Sequence, residues 1–105
     1  MSRRGKKLGL LLSTRPEHPN FEHGLRLAET ALNEGVDVYL YCIDDAVNGV
    51  AGERLQALKA RGLKLFACAY GAHRRSMPIT DQATFAGLGV LNDLIAGTDR
   101  FVSFN

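Results

Sequence analysis

The chain is predicted to fold as a three-layer α/β/α domain around a mainly parallel sheet of four or five strands. Three observations carry that expectation. Short apolar, β-branched or aromatic runs at residues 8–12, 36–43, 63–68 and 100–104 alternate with stretches of helical period, the arrangement that gives parallel strands joined by helical crossovers. The first run is apolar almost without alternation, as a strand covered on both faces requires. With 46% hydrophobic and 23% charged residues, 105 residues form one globular core, because a second domain would need roughly another 50–100 residues.

Leu8, Gly9, Leu10, Leu11 and Leu12 make the first strand, which Ser13, Thr14, Arg15 and Pro16 end. Asn20 can cap a helix whose apolar positions Phe21, Leu25, Ala28, Ala31 and Leu32 recur at helical spacing, and Gly35 stops it. The run VDVYLYCI at 36–43 is β-branched and aromatic, hence a second strand, and Asp44 and Asp45 open the loop at its carboxyl end. A second helical stretch over 52–61, with Leu55 and Leu58 inward, stops at Gly62 and leads into the strand LKLFAC at 63–68. Residues 69–75 read as a turn of small and basic residues, and Pro78 forbids a helix past Met77. Asp81 or Thr80 can cap a last helix with Phe85, Leu88, Leu91 and Ile95 inward and Gly97 at its end, before the final strand at 100–104.

The formal charge is +2, but Arg3, Arg4, Lys6 and Lys7 lie ahead of the predicted first strand, and the remaining nine bases face eleven acids. One domain over 1–105 with a basic, flexible tail at 1–6 is therefore expected. The body offers no basic face to neutralise phosphates, so direct nucleic-acid binding is not expected. The apolar run that follows the tail has five residues, short of the about 7–15 of an export signal, and no segment approaches the ~18 of a membrane span. Cys42 and Cys68 form no CxxC motif and have no histidine at ligand spacing, which points away from zinc and from a disulfide framework and toward a reducing cytoplasm. No phosphate-cradling glycine loop follows the first strand, and no cofactor or metal is expected.

In parallel sheets, sites form beyond the carboxyl ends of strands, and Cys68 stands at such an end. Small residues follow it, so the next turn's N–H groups can point at its sulfur, and Arg74 and Arg75 come six and seven positions on. An unperturbed thiol is only about 3% thiolate at pH 7, and N–H donors with a guanidinium favour the reactive anion. Position alone leaves two readings open, a nucleophile or a small buried hydrophobe. His73 is the histidine nearest Cys68 in sequence and a candidate acid or base. Cys42, between Tyr41 and Ile43 with no basic residue after it, reads as core. Asp44 and Asp45 suit loop capping better than magnesium binding, because a receiver-like phosphosignalling domain would need its acceptor aspartate where Cys68 stands. His18 and His23, at the entrance to the first helix, read as exposed or capping residues.

Cys68 and Ala69 with Arg74 and Arg75, then Gly87, Leu88 and Gly89 with Leu91, and Asp99 and Arg100 with Val102 and Phe104, resemble the DsrE/TusD group of small sulfur-relay proteins, and the likeness spans nearly the whole chain. Ser76 stands where TusD-like sequences tend to have glycine. The resemblance implies that Cys68 accepts sulfane sulfur as a persulfide and passes it to a partner cysteine. It implies donor and acceptor proteins with reactive cysteines as partners, activity as a persulfide carrier or sulfurtransferase, and assembly into trimers or hexamers. A non-catalytic oligomeric scaffold or small-ligand module of the same fold is the alternative. Assembly is expected on size as well, since a domain this small buries only about 60–65% of its surface, and Tyr39, Tyr41, Phe101, Phe104, Gly87 and Gly89 could meet a neighbour.

Overall fold

Strand β1 (Lys7–Leu12) lies inside the sheet, between β2 (Asp37–Cys42) and the edge strand β5 (Arg100–Phe104). Beyond β2 lie β3 (Lys64–Cys68) and the short edge strand β4 (Thr84–Ala86), so that the order is β4-β3-β2-β1-β5 and every pairing is parallel. The connections carry helices α1 (Pro19–Asn33), α2 (Glu53–Ala60), α3 (Ala69–Arg74) and α4 (Leu88–Gly97), and a 3-10 segment (Asp44–Gly49) follows β2. The computed structural model describes residues 4–105.

The side-chain period of two divides the sheet into two unequal faces. Leu8, Leu10 and Leu12 of β1, Val38, Leu40 and Cys42 of β2, and Leu65 and Ala67 of β3 are buried under α1 and α2 with Phe21, Leu25, Ala28, Leu55 and Leu58. Each such leucine removed from water is worth about 1.5–3 kcal/mol, and this face supplies most of the core. The other face carries Leu11, Tyr41, Phe66 and Cys68, with Val47, Ala72, Leu91 and Leu94 packed on them from the 3-10 segment, α3 and α4. Gly9 lies on this face under the Phe101 ring, where a Cβ would stand 2.5 Å from Cδ2, so the close approach of the two strands' residues needs glycine.

The described elements match the expected strands and the expected three layers. Four local readings change. His18, not Asn20, caps α1, its Nδ1 accepting from the Asn20 N–H at 3.1 Å. Residues 69–74 are a helix rather than a turn, because alanine and the small Gly71 let the chain coil directly off β3. The last helix does not begin at Thr80 or Asp81: Thr80 Oγ1 accepts from the Gln82 N–H in a local turn, residues 84–86 pair with β3, and α4 starts after Gly87. Lys7, counted among the bases ahead of the predicted first strand, is the first residue of β1. Of the expected tail, residues 1–3 lie outside the described residues, Arg4 and Gly5 form a turn, and the Lys6 carbonyl accepts from the Asp37 N–H.

Helix α4 is unusual for its composition. Its sequence LGVLNDLIAG is apolar, yet none of its residues is buried, and Leu88 and Ile95 are 56% and 49% exposed.

Candidate functional site

β3 delivers Cys68 to the carboxyl edge of the sheet, where the chain turns at once into α3. Cys68 is the cap of that helix, and its Sγ accepts from the Gly71 N–H at 3.4 Å. A Cβ on Gly71 would lie 3.3 Å from Val47 Cγ2, a close fit, and 3.6 Å from the Cys68 Cβ, an ordinary contact. The sulfur is held by a backbone donor, and Cys68, 5% exposed as a residue, lines a cavity of about 450 Å³. Ile43, Asp44, Tyr70, Gly71, Arg74, Arg75 and Leu88 line the rest of it.

The two arginines both reach this cavity, but neither donates to the sulfur among the described residues. Arg75 is half-buried and fixed at both ends of its guanidinium, Nη1 donating to the Gly71 carbonyl at 3.2 Å and Nη2 pairing with Asp45 at 3.0 Å. Asp45 is largely exposed, so that pair is worth under about 1 kcal/mol and can open when another anion competes. Arg74 stacks over the Tyr70 ring at 5.8 Å at the exposed rim. His73 is exposed on α3 and does not line the cavity. Just past the Arg75 cap of α3, Ser76 has a φ of 55°, the left-handed conformation that glycine adopts most readily.

The two aspartates after β2 have separate roles. Asp45 holds Arg75, while Asp44, exposed and at φ 51°, faces the cavity mouth. Cys42 is fully buried in the opposite face, where burial pushes its thiol up to about 12 and leaves it inert.

Sequence reasoning missed one polar residue beside the sulfur. Tyr41 is buried in the same cluster as Cys68, and its hydroxyl donates to the Ala86 carbonyl at 3.0 Å. Burial, and secondarily the neighbouring Cys68 sulfur, push its phenol well above the usual range. A tyrosine inside an aromatic strand gives no local sign of where its hydroxyl points, and this partner lies 45 residues away.

A larger open cleft of about 780 Å³ lies at the amino ends of β1 and β5, between Lys6, Lys7 and Arg100 and the acids Glu34 and Asp99. Neither cysteine lines it; Cys68 lines the smaller cavity.

Among families, the model described as "DsrE/DsrF-like family" matches residues 6–104. No curated protein matches the chain. Among solved structures, the crystal structure of the ychN protein from E. coli is similar at a TM-score of 0.79 and 19% identity, covering 94% of this chain and 99% of that one. At that identity the likeness shows the fold: a sheet of the same kind with helices packed around it.

Proposed function

The chain belongs to the DsrE/DsrF-like family, and from that premise we propose that it is a sulfur-relay protein whose Cys68 carries sulfane sulfur as a persulfide between partner proteins. The observation that carries this reading is the placement of Cys68 at the carboxyl edge of β3, its sulfur bonded to the Gly71 N–H, in a cavity that Arg74 and Arg75 also line.

In the loading step the Cys68 thiolate attacks the outer sulfur of a donor persulfide. The new S–S bond forms as the donor's S–S bond breaks, and the donor's inner sulfur leaves as thiolate with the electron pair of that bond. The sulfane sulfur keeps its oxidation state, so no external oxidant or reductant enters. The persulfide sheds its proton more readily than a thiol, and the leaving thiolate takes one up. Unloading repeats the step with an acceptor cysteine as nucleophile. The Gly71 N–H holds the inner sulfur, and Arg75, released from Asp45, balances the outer one. His73 has no part in this scheme, since it stands outside the cavity.

A donor or acceptor cysteine must approach Cys68, a residue only 5% exposed, and that burial is what favours the rival reading of an oligomeric scaffold with an inert thiol. Mass spectrometry after exposure to a sulfane-sulfur donor separates the two. The full chain should gain one sulfur atom, Cys42→Ala should gain it as well, and Cys68→Ala should gain none. A Cys68 that neither gains sulfur nor alkylates until the protein is denatured establishes the scaffold.

The partners we propose are donor and acceptor proteins with reactive cysteines, met in the cytoplasm, and further copies of this chain in a trimer or hexamer. The apolar, unburied α4 supports self-assembly. Among the described residues no helix is long and apolar enough to cross a membrane.

A further inference from the structure

Tyr41 and Cys68 stand on the same face of the sheet. The register sets Tyr41 beside Phe66, two residues before Cys68, and sets Cys68 beside Ala86. The phenol therefore reaches diagonally over β3 to the Ala86 carbonyl, and it is packed in the same buried cluster as Cys68, where burial, and then the Cys68 sulfur by charge and as a hydrogen-bond acceptor, push its ionisation upward. A phenol has one proton to give. Against a neutral thiol, a weak acceptor, the carbonyl wins. Against a negatively charged sulfur the balance reverses, because a charge-assisted bond is roughly twice as strong as a neutral one and a buried site does not dilute it with water.

We propose that the Tyr41 hydroxyl is a donor with two positions, given to the Ala86 carbonyl while Cys68 is a neutral thiol and to the Cys68 sulfur when that sulfur carries negative charge. Tyr41 is then a positioning residue that fixes the charged sulfur and passes its state to the junction of β4 and α4. Ala86 is followed by the Gly87 cap and by Leu88, which lines the cavity, so releasing its carbonyl loosens the base of the helix that forms one wall of the mouth. The other charged or titratable groups that line the cavity with the sulfur are Asp44 from the 3-10 segment, Tyr70 and Arg74 from α3 and Arg75 at its cap, with Asp45 paired to Arg75 and exposed His73 outside the lining; Phe85, Leu91 and Leu94, packed there from β4 and α4, are apolar. Because its own ionisation is pushed upward, Tyr41 keeps its proton while the sulfur ionises.

The inference deepens the sulfur-relay reading and rests on it only for the persulfide, since the plain thiolate carries the same charge. It can therefore be tested without a donor. The carbonyl-carbon NMR shift of Ala86 is followed as pH rises through Cys68 ionisation, which alkylation rates on the same samples report. In the native sequence the Ala86 shift should move along the alkylation profile, and in Cys68→Ser it should stay flat. In Tyr41→Phe, which removes only the hydroxyl, it should also stay flat, with alkylation at pH 7 about three- to tenfold slower and its profile displaced to higher pH. An Ala86 shift indifferent to Cys68 ionisation, or an alkylation profile that Tyr41→Phe leaves unchanged, overturns the proposal. The comparison with Cys68→Ser leaves Tyr41 intact, so the carbonyl reading decides even if Tyr41→Phe does not fold. Sulfur uptake is scored separately: no mass gain with a responsive Ala86 ends the relay reading and keeps the tyrosine's role, and a mass gain with an indifferent Ala86 does the reverse.

Discussion

Cys42 pairs with Ala67, the residue before Cys68, and that one step of register decides the fate of both thiols. With a side-chain period of two, Cys42 enters the thick α1/α2 face and Cys68 the thin face under α3 and α4. The core assignment of Cys42 and the N–H groups facing the Cys68 sulfur were both legible, because strand ends and small residues leave local marks, although a helix and not the expected turn supplies those groups. The commitment of Arg75 to Asp45 and the reach of Tyr41 to Ala86 were not, because each depends on a partner from another element. Burial of Cys42 has a consequence for stability. The folded chain keeps a proton to about pH 12 that the unfolded chain sheds near 9, so folding binds protons in that window and stability falls as pH rises. The expected loss is about 1.4 kcal/mol per pH unit above roughly pH 9. Urea midpoints measured from pH 8 to 10 should decline in the native sequence and decline less in Cys42→Ala; equal slopes would show that Cys42 does not carry the effect.

Among the elements, α1, β1, β2 and β5 follow the sequence period closely, since each is long enough to show it. The stretch from Thr80 to Gly97 does not. Phe85, Leu88, Leu91 and Ile95 keep spacings of three and four across a boundary where three residues of edge strand meet the helix, and a three-residue strand is too short to display its own period. Tertiary pairing with β3 overrides the apparent helix there. The 3-10 segment is fixed differently, by a close approach. A Cβ on Gly49 would stand 2.7 Å from Phe21 Cζ and 2.8 Å from Pro16 Cγ, a buried ring and a rigid one. Gly49→Ala should therefore destabilise the fold by about 1–3 kcal/mol in urea unfolding, and it should loosen the segment that brings Asp44 and Asp45 to the cavity. A loss under a few tenths of a kcal/mol would mean that the two rings yield.

For the whole molecule, the expectation of an aromatic interface divides. Tyr41 is wholly buried and Phe104 packs on the core, so neither is available to a neighbour. Leu88 and Ile95, together with the open space around Gly87 and Gly89, present the apolar surface instead. Sedimentation at micromolar concentration should give a trimer or hexamer, and Ile95→Glu should shift it toward monomer while leaving the folded secondary structure intact. A monomeric native chain would show that α4 faces some other partner or none. The strand order carries a further consequence, for the timing of synthesis. β1 is flanked by β2 and by β5, so the strand made first acquires its last neighbour only when residues 100–104 have been made. Until those residues leave the ribosome, Leu8, Leu10 and Leu12 present an unpaired backbone edge to every other nascent chain nearby. The sheet cannot close in the order in which it is translated, and β1, made first, waits longest for its full set of neighbours.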